Sequence, residues 1–170
     1  SDMPMERAGG VDYDRWAEVL RVNTMAPHKV SDAFAGHVAK SETRIIVAIS
    51  SRLGSIEMNS GGDYAYCSSK AALNLIMKGL SGELHPRGIT VAVLHPGWVR
   101  TDMGGSEAPR TPDQSVADMI RLIEGLTPDD NGRFLDHTGR TIPRNLSRRT
   151  RPGCLWMWCT GPLVFIGFPM

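Results

Sequence analysis

Two short, mostly apolar runs rich in β-branched residues constrain the fold of this chain most strongly. The first, RIIVAIS, occupies residues 44–50, and the second, ITVAVL, occupies residues 89–94. A continuous apolar run of this length is typical of a strand that is buried on both faces in a parallel sheet, because a half-exposed strand alternates apolar and polar residues. Parallel strands need a crossover connection, so the chain is predicted to be an α/β protein.

Helical patterns lie before and between these two strands. Apolar residues recur at helical spacing over residues 13–40, which predicts a first helix. Asp63 is expected to cap a second helix that runs to about residue 84, where Pro86 and Gly88 end it.

A third helix and a third strand follow the second apolar run. Thr111 and Gln114 stand at capping-box spacing with a proline between them, which predicts a helix that runs to about Gly125. Residues 132–136, GRFLD, read as a short strand. Three helix–strand pairs in this order predict right-handed crossovers and a doubly wound parallel sheet in three layers.

Composition limits the classes of function. With 170 residues and a formal net charge of +1, the chain is long enough for one domain and gives no electrostatic reason to expect a nucleic-acid partner. The three cysteines, Cys67, Cys154 and Cys159, are at no metal-ligand spacing, so we expect no metal site and free thiols in a reducing, cytoplasmic compartment. A disulfide between the last two is the alternative. The first ten residues contain no apolar segment, so no signal peptide is expected.

The sequence changes character at about Arg144. A basic, turn-rich stretch is followed by an almost wholly apolar one, CLWMWCTGPLVFIGFPM, at residues 154–170. This apolar stretch is short for a membrane span and is interrupted by a Gly-Pro pair. Residues 1–143 are therefore interpreted as the folded portion and 144–170 as an extension that is non-native or packs on an exposed patch. A C-terminal membrane anchor is the alternative, although no membrane partner is expected.

Polar residues collect at one edge of the predicted sheet. Ser50-Ser51 ends the first strand, Tyr66 and Lys70 lie in the first turns of the helix that follows, and Pro96-Gly97 comes directly after the second strand. Because ligands of open α/β sheets bind outside the carboxyl ends of the strands, these residues are predicted to face one cleft.

Tyr66 and Lys70 are four residues apart and therefore neighbours on one helix face. The pKa of a free tyrosine is near 10, and a nearby ammonium is expected to lower it toward the working range. A serine hydroxyl across the cleft can hold a carbonyl oxygen against the phenol, which would protonate that oxygen while hydride reaches the carbonyl carbon. Cys67, one residue on from Tyr66, is predicted to point away from the cleft and to pack.

Asn23 adds a further candidate. Pro27 lies four residues later and has no N–H, so the carbonyl of Asn23 loses its usual helical partner. The freed carbonyl can hold a water that relays protons to Lys70. A plain helix kink with a solvated carbonyl is the alternative.

Four motifs in the same order resemble the short-chain dehydrogenase/reductase family. They are Val22-Asn23, Ile49-Ser50-Ser51, Tyr66 to Lys70, and Pro96 to Thr101. The stretch SSRLGSI, the helix DYAYCSSKAALN and the ending GRFLDHTGRTIP most resemble its C-factor-like carbonyl-reductase branch. The resemblance covers about residues 10–143.

The resemblance implies a Rossmann-like fold, a small carbonyl substrate and NADP or NAD as cofactor. It places the catalytic tetrad on Asn23, Ser51, Tyr66 and Lys70. It also implies that the cofactor contacts Tyr66 and Lys70 at the ribose, and Pro96, Gly97, Val99 and Thr101 at the carboxamide. The helices at residues 16–39 and 64–84 resemble the family's dimer-forming pair, so a homodimer or larger assembly is expected.

The sequence departs from the family at its beginning. The glycine-rich turn that cradles the pyrophosphate and the Asn-Asn-Ala-Gly turn are both absent. The chain is therefore interpreted as the C-terminal half of the Rossmann-like domain. Taken alone, it is expected to bind NAD(P)H too weakly to be a practical reductase.

Two other functions are consistent with the residues. One is a cofactor-independent hydrolase that uses Ser51 as nucleophile with Tyr66 and Lys70 as base, although neither an oxyanion hole nor a G-x-S-x-G elbow can be assigned. The other is a non-catalytic remnant that associates with itself through its helices.

Overall fold

The computed structural model describes residues 10–144. Within this range, a π-helical turn at Arg21–Met25 joins the first two helices without a break, and short 3₁₀ turns lie at Arg52–Gly54, His85–Arg87 and Pro128–Asp130. The helices are α1 (Tyr13–Leu20), α2 (Ala26–Val38), α3 (Tyr64–Leu84) and α4 (Pro112–Glu124), and the strands are β1 (Ile45–Ile49), β2 (Thr90–His95) and β3 (Phe134–Asp136).

The three strands form one parallel sheet in the order β1-β2-β3. Ile49 of β1 lies opposite Leu94 of β2, and His95 of β2 lies opposite Asp136 of β3. All three strands therefore end at the same edge, where the loops that lead to α3 and α4 begin. The α/β fold with a parallel sheet that the sequence predicted is confirmed.

Helix α3 packs against the sheet and supplies much of the core. Its apolar residues recur three and four positions apart, which places them on one face of the helix. Each such side chain contributes about 1.5–3 kcal/mol when it is removed from water. The buried cluster includes Leu73, Met77, Leu80 and Leu84 of α3 with Val91, Val93 and Phe134 of the strands.

Of the two predicted helix caps, the one at α4 forms and the side-chain cap at α3 does not. At α4, the Gln114 N–H donates to Thr111 Oγ1 at 3.2 Å and the Thr111 N–H donates to Gln114 Oε1 at 3.0 Å, which is the expected capping box. At α3, Asp63 occupies the N-cap position, but its side chain makes no capping hydrogen bond, so that prediction is wrong. Its backbone is left-handed (φ 45°, ψ 49°), whereas a capping side chain reaches the helix N–H groups from extended backbone.

The outer edge of β1 borders an open apolar cleft of about 380 Å³ between the strand and α2. Val22, Val30 and Ile49 line it, and these side chains are 55%, 58% and 45% exposed. Among the described strands, β1 pairs with a neighbour on one side only. Residues 10–144 therefore supply no strand that pairs with the outer edge of β1.

Several sequence expectations concern the ends of the chain. The tail predicted from residue 144 lies outside the described residues except for Arg144, and so do Cys154 and Cys159. Cys67 is buried and free, as expected. None of the described helices combines the length and apolar character that crossing a membrane requires. Residues 10–144 contain no group of three side chains that could hold a metal ion.

Candidate active site

Three of the four tetrad candidates meet at the carboxyl edge of the sheet. Ser51 directly follows β1, and its hydroxyl lies close enough to the phenol of Tyr66 to lower the pKa of that phenol. The Lys70 ammonium donates to the carbonyl oxygen of Ile49, the last residue of β1, at 3.2 Å. The same ammonium lies 5.7 Å from the centre of the Tyr66 ring. The end of β1 and the start of α3 thus hold a hydroxyl, a phenol and an ammonium together.

A close contact between the loop after β1 and α3 positions Ser51. A Cβ at Gly54 would lie 2.7 Å from the carbonyl carbon of Lys70 and 2.9 Å from Asn74 Nδ2, so only glycine allows this approach. The Asn74 amide donates to the Gly54 carbonyl at 3.1 Å, and the Leu53 N–H donates to Ser51 Oγ at 3.2 Å. The sequence analysis missed Gly54 and Asn74, because glycine in a loop and asparagine one turn after Lys70 carry no specific signal alone.

The protonation of Tyr66 differs from the sequence expectation. Burial raises the pKa of the phenol, the nearby Ser51 hydroxyl opposes this, and Cys67 and Asp63 raise the pKa further. The expectation that Lys70 lowers this pKa is therefore wrong for this arrangement. The ammonium is directed to a backbone carbonyl and not to the phenolic oxygen, and burial lowers the pKa of Lys70 itself.

Asn23 lies in the π-helical turn that joins α1 to α2. The Ala26 N–H bonds to the carbonyl of Arg21, five residues back, which widens the helix at this point. The Asn23 amide donates to Ser69 Oγ at 3.1 Å, and Asn23 and Lys70 both line the 380 Å³ cleft. The sequence indicated a disturbed helix through Pro27 but did not predict the π-helical form. The proposed water relay through the Asn23 carbonyl stays a prediction.

The loop after β2 holds the remaining candidates. The Pro96 carbonyl accepts a hydrogen bond from the Ser115 hydroxyl of α4 at 2.8 Å. Val99 forms a bridge with Arg110, and Thr101 Oγ1 accepts from the Gly104 N–H at 3.1 Å. These bonds hold the loop at the same edge as Tyr66.

Gly97 in this loop is needed both for its conformation and for the space above it. Its φ is 89°, which favours glycine. A Cβ there would lie 2.7 Å from Arg110 Cδ and 3.2 Å from His137 Nδ1. Arg110 and His137 thus converge over Gly97, and the sequence analysis identified neither.

A buried imidazole lies beside this loop. His95, the last residue of β2, is 9% exposed, and its Nδ1 has no hydrogen-bond partner among the described residues. Burial first, then the charges of Arg52 and His137, lower its pKa to about 4, while Asp136 acts in the opposite direction. His95 is therefore neutral at physiological pH.

Comparison with known proteins gives a consistent result. Residues 4–111 match the sequence profile of the short chain dehydrogenase family. C-signal of Myxococcus xanthus is 41% identical over 136 residues, which cover 79% of this chain and 82% of that protein. A 1-hydroxy-2-glutathionyl-2-methyl-3-butene dehydrogenase of Rhodococcus is 34% identical over 142 residues, which cover 81% of this chain and 62% of that protein.

Solved structures of carbonyl reductases are also similar. The carbonyl reductase Sniffer of D. melanogaster is 36% identical with a TM-score of 0.78, and the match covers 82% of this chain and 61% of that one. An NADPH-bound carbonyl reductase from chicken fatty liver is 32% identical with a TM-score of 0.76 and the same coverage. The chain thus spans about three fifths of the length of these two reductases.

Proposed function

This chain belongs to the short-chain dehydrogenase family, and from that premise we propose that it carries the catalytic residues of an NAD(P)H-dependent reductase of small aldehydes or ketones. The two solved relatives described above are carbonyl reductases, one of them with NADPH bound. The observation that supports the proposal best is the convergence of three groups at one strand end: the Lys70 ammonium bonds to the last carbonyl of β1 and lies 5.7 Å from the Tyr66 ring, and the Ser51 hydroxyl acts on the same phenol.

In this proposal each residue of the site has a separate role. The Ser51 hydroxyl holds the carbonyl oxygen of the substrate next to the phenol. Tyr66 donates the proton, and its raised pKa keeps the phenol protonated at neutral pH, as a proton donor requires. Lys70 supplies positive charge beside the ring, and Asn23 lines the same cleft as Lys70. The bound nicotinamide supplies the hydride.

The residues present fit the nicotinamide end of the cofactor. The ammonium of Lys70 and the hydroxyl of Tyr66 are suitable donors for a ribose. Pro96, Gly97, Val99 and Thr101 are the proposed contacts of the carboxamide, and the fixed loop geometry at Gly97 leaves backbone groups at that edge. These contacts do not reach a pyrophosphate, so we propose that this chain alone binds the cofactor weakly.

Self-association in the cytoplasm is part of the proposal. Large apolar side chains are exposed on the helices that pair along one side of the molecule, including Met25 (61%), Phe34 (58%) and Leu75 (72%). Exposed apolar patches on a protein surface mark interaction sites. A homodimer or larger assembly would cover these side chains.

The hydrolase alternative has less support. A serine nucleophile needs a neighbouring base, and the group beside Ser51 is a phenol whose pKa is raised. Such a phenol does not accept a proton at neutral pH.

The direct test compares two reactions of the purified chain. Carbonyl reduction is followed by NADPH absorbance at millimolar cofactor, and ester hydrolysis is followed without nucleotide. Reduction that requires NADPH supports the proposal. Hydrolysis without nucleotide, abolished by Ser51→Ala, would instead establish the alternative.

A further inference from the structure

Positively charged and imidazole groups lie on the side of the site beyond Ser51. Arg52 directly follows Ser51 and begins the 3₁₀ turn, and its side chain is exposed. Within residues 10–144, Arg52 forms no ion pair and its guanidinium donates no hydrogen bond. Ile49 at the end of β1 pairs with Leu94, which places Arg52, three residues later, on the side of the sheet edge where His95 ends β2, and the charge of Arg52 acts on that imidazole. His137 acts on the same imidazole. Three basic side chains thus share this side of the carboxyl edge.

Two buried imidazole nitrogens in this region have no partner among the described residues. They are Nδ1 of His95 and Nδ1 of His137. His137 also lies against the space above Gly97, in the loop that we propose for the cofactor carboxamide. The basic groups therefore border the place where the substrate carbonyl would meet Ser51 and Tyr66.

No carboxylate of residues 10–144 forms an ion pair with Arg52. Asp136 is the one carboxylate among the described residues that acts on His95, and its Oδ1 already accepts from the Thr138 N–H, the Thr138 hydroxyl and the Arg140 N–H. Asp118 is paired with Arg110 and Arg121. Arg52 is left as a cation beside the catalytic serine without a counter-ion from the described part of the chain.

We propose that Arg52 selects carbonyl substrates that carry a carboxylate or phosphate group, with the oxyanion at Arg52 and the carbonyl oxygen at Ser51 and Tyr66. This inference rests on the proposed function for the carbonyl end of the substrate. A planar guanidinium donates two parallel hydrogen bonds to either oxyanion. Ser51 and Arg52 are adjacent, so one small molecule can reach both.

The test uses unreactive probes and needs no cofactor. Benzoate and phenyl phosphate present the two oxyanions, and benzamide presents the same ring without charge. Each is titrated into the full chain while the imidazole proton signals of His95 and His137 are followed by NMR. The signals are assigned with His95→Gln and His137→Gln. His28, exposed on α2, serves as an internal reference that should not respond.

The expected result is a preference for the anions. At least one of benzoate and phenyl phosphate should bind about tenfold more tightly than benzamide, the value of one charge-assisted contact at an exposed site. A bound anion should also raise the pKa of His95 from about 4 toward its ordinary value of 6.5, because it offsets the charges of Arg52 and His137. The probe that binds identifies which oxyanion is accepted.

The variants separate a specific contact from general attraction. Arg52→Gln should remove the preference, so that anions and benzamide bind equally. Arg87→Gln removes an equally exposed arginine at the opposite end of α3 and should leave the preference intact. Circular dichroism confirms that both variants are folded.

Two outcomes overturn the proposal. One is equal binding of anions and benzamide to the unmodified chain, and the other is an anion preference that survives Arg52→Gln. Neither outcome depends on catalysis. A chain that binds benzoate through Arg52 but reduces no carbonyl would contradict the proposed reductase function while leaving the oxyanion site in place.

Discussion

The ammonium of Lys70 donates a hydrogen bond to the carbonyl oxygen of Ile49 at 3.2 Å and lies 5.7 Å from the centre of the Tyr66 ring. The lysine is therefore fixed to the end of β1 and not to the phenolic oxygen four residues before it. Burial raises the pKa of the Tyr66 phenol, and the nearby Ser51 hydroxyl lowers it. In this arrangement the phenol is a protonated acid, and the ammonium contributes charge beside it without forming a direct ion pair.

Replacing Tyr66 should remove the proton donor of the proposed reaction. Tyr66→Phe is expected to lower the rate of NADPH-dependent carbonyl reduction by about 10²-fold or more, the usual contribution of general acid catalysis. Tyr64→Phe is the matched control, because Tyr64 lies two residues earlier in α3 and stacks on Trp16 instead of facing Ser51. Equal rates in the two variants would show that Tyr66 is not the acid.

The chain alone should bind NADPH weakly. Each missing charge-assisted contact to the pyrophosphate costs on the order of 1.5–3 kcal/mol, and two or three such losses weaken binding by about a hundredfold to a millionfold. We expect a dissociation constant in the millimolar range or above by calorimetric titration. Micromolar affinity would contradict the prediction and would mean that another segment or chain supplies these contacts.

Stability should fall in mild acid because of His95. Its pKa in the folded chain is lowered to about 4 from 6.5, so the unfolded chain binds the proton more readily. The contribution is present in full above pH 6.5 and is lost as the pH falls through about 4. Urea unfolding across this range should show a smaller loss for His95→Gln than for the unmodified chain. His28→Gln, an exposed control, should behave like the unmodified chain, and a His95→Gln profile that does so too would argue against this account.

Two glycines of the same region should respond to alanine in opposite directions. Gly54→Ala places a Cβ within 2.7 Å of the α3 backbone and should destabilise the fold by about 1–3 kcal/mol. It should also reduce activity, because it displaces the turn that presents Ser51. Gly79→Ala, in the interior of α3 with nothing within 4 Å, should stabilise by about 0.5–1 kcal/mol. Urea denaturation measures both changes, and a neutral Gly54→Ala would refute the close contact.

The exposed apolar helix surface should drive self-association. We expect light scattering at micromolar concentration to show a dimer or larger species, and a clean monomer would rule this out. Leu75→Asp should weaken association by about tenfold or more, because an unpaired charge is costly to bury at an interface. Ile120→Asp on α4, where the isoleucine is 50% exposed, is the control for a general effect of added charge.

The local patterns of the sequence were sufficient for the elements that positioned the site. The continuous runs at residues 44–50 and 89–94 became β1 and β2, and the capping box at Thr111 formed as expected. Because parallel strands end at one edge, the positions of Ser51 and of the Tyr66–Lys70 pair along the chain were enough to predict that they meet. Each of these features depends on residues within one or two turns of one another, which a sequence displays directly.

Only the tertiary structure determined what those residues do to each other. Burial and groups far away in the sequence determine three features of the site. These are the raised pKa of Tyr66, the hydrogen bond from Lys70 to the Ile49 carbonyl, and the neighbours of His95. The π-helical turn at Asn23 and the left-handed backbone of Asp63 were likewise seen only in the folded structure. Charge–charge and desolvation energies vary with distance through the folded protein, and spacing along the chain does not fix that distance.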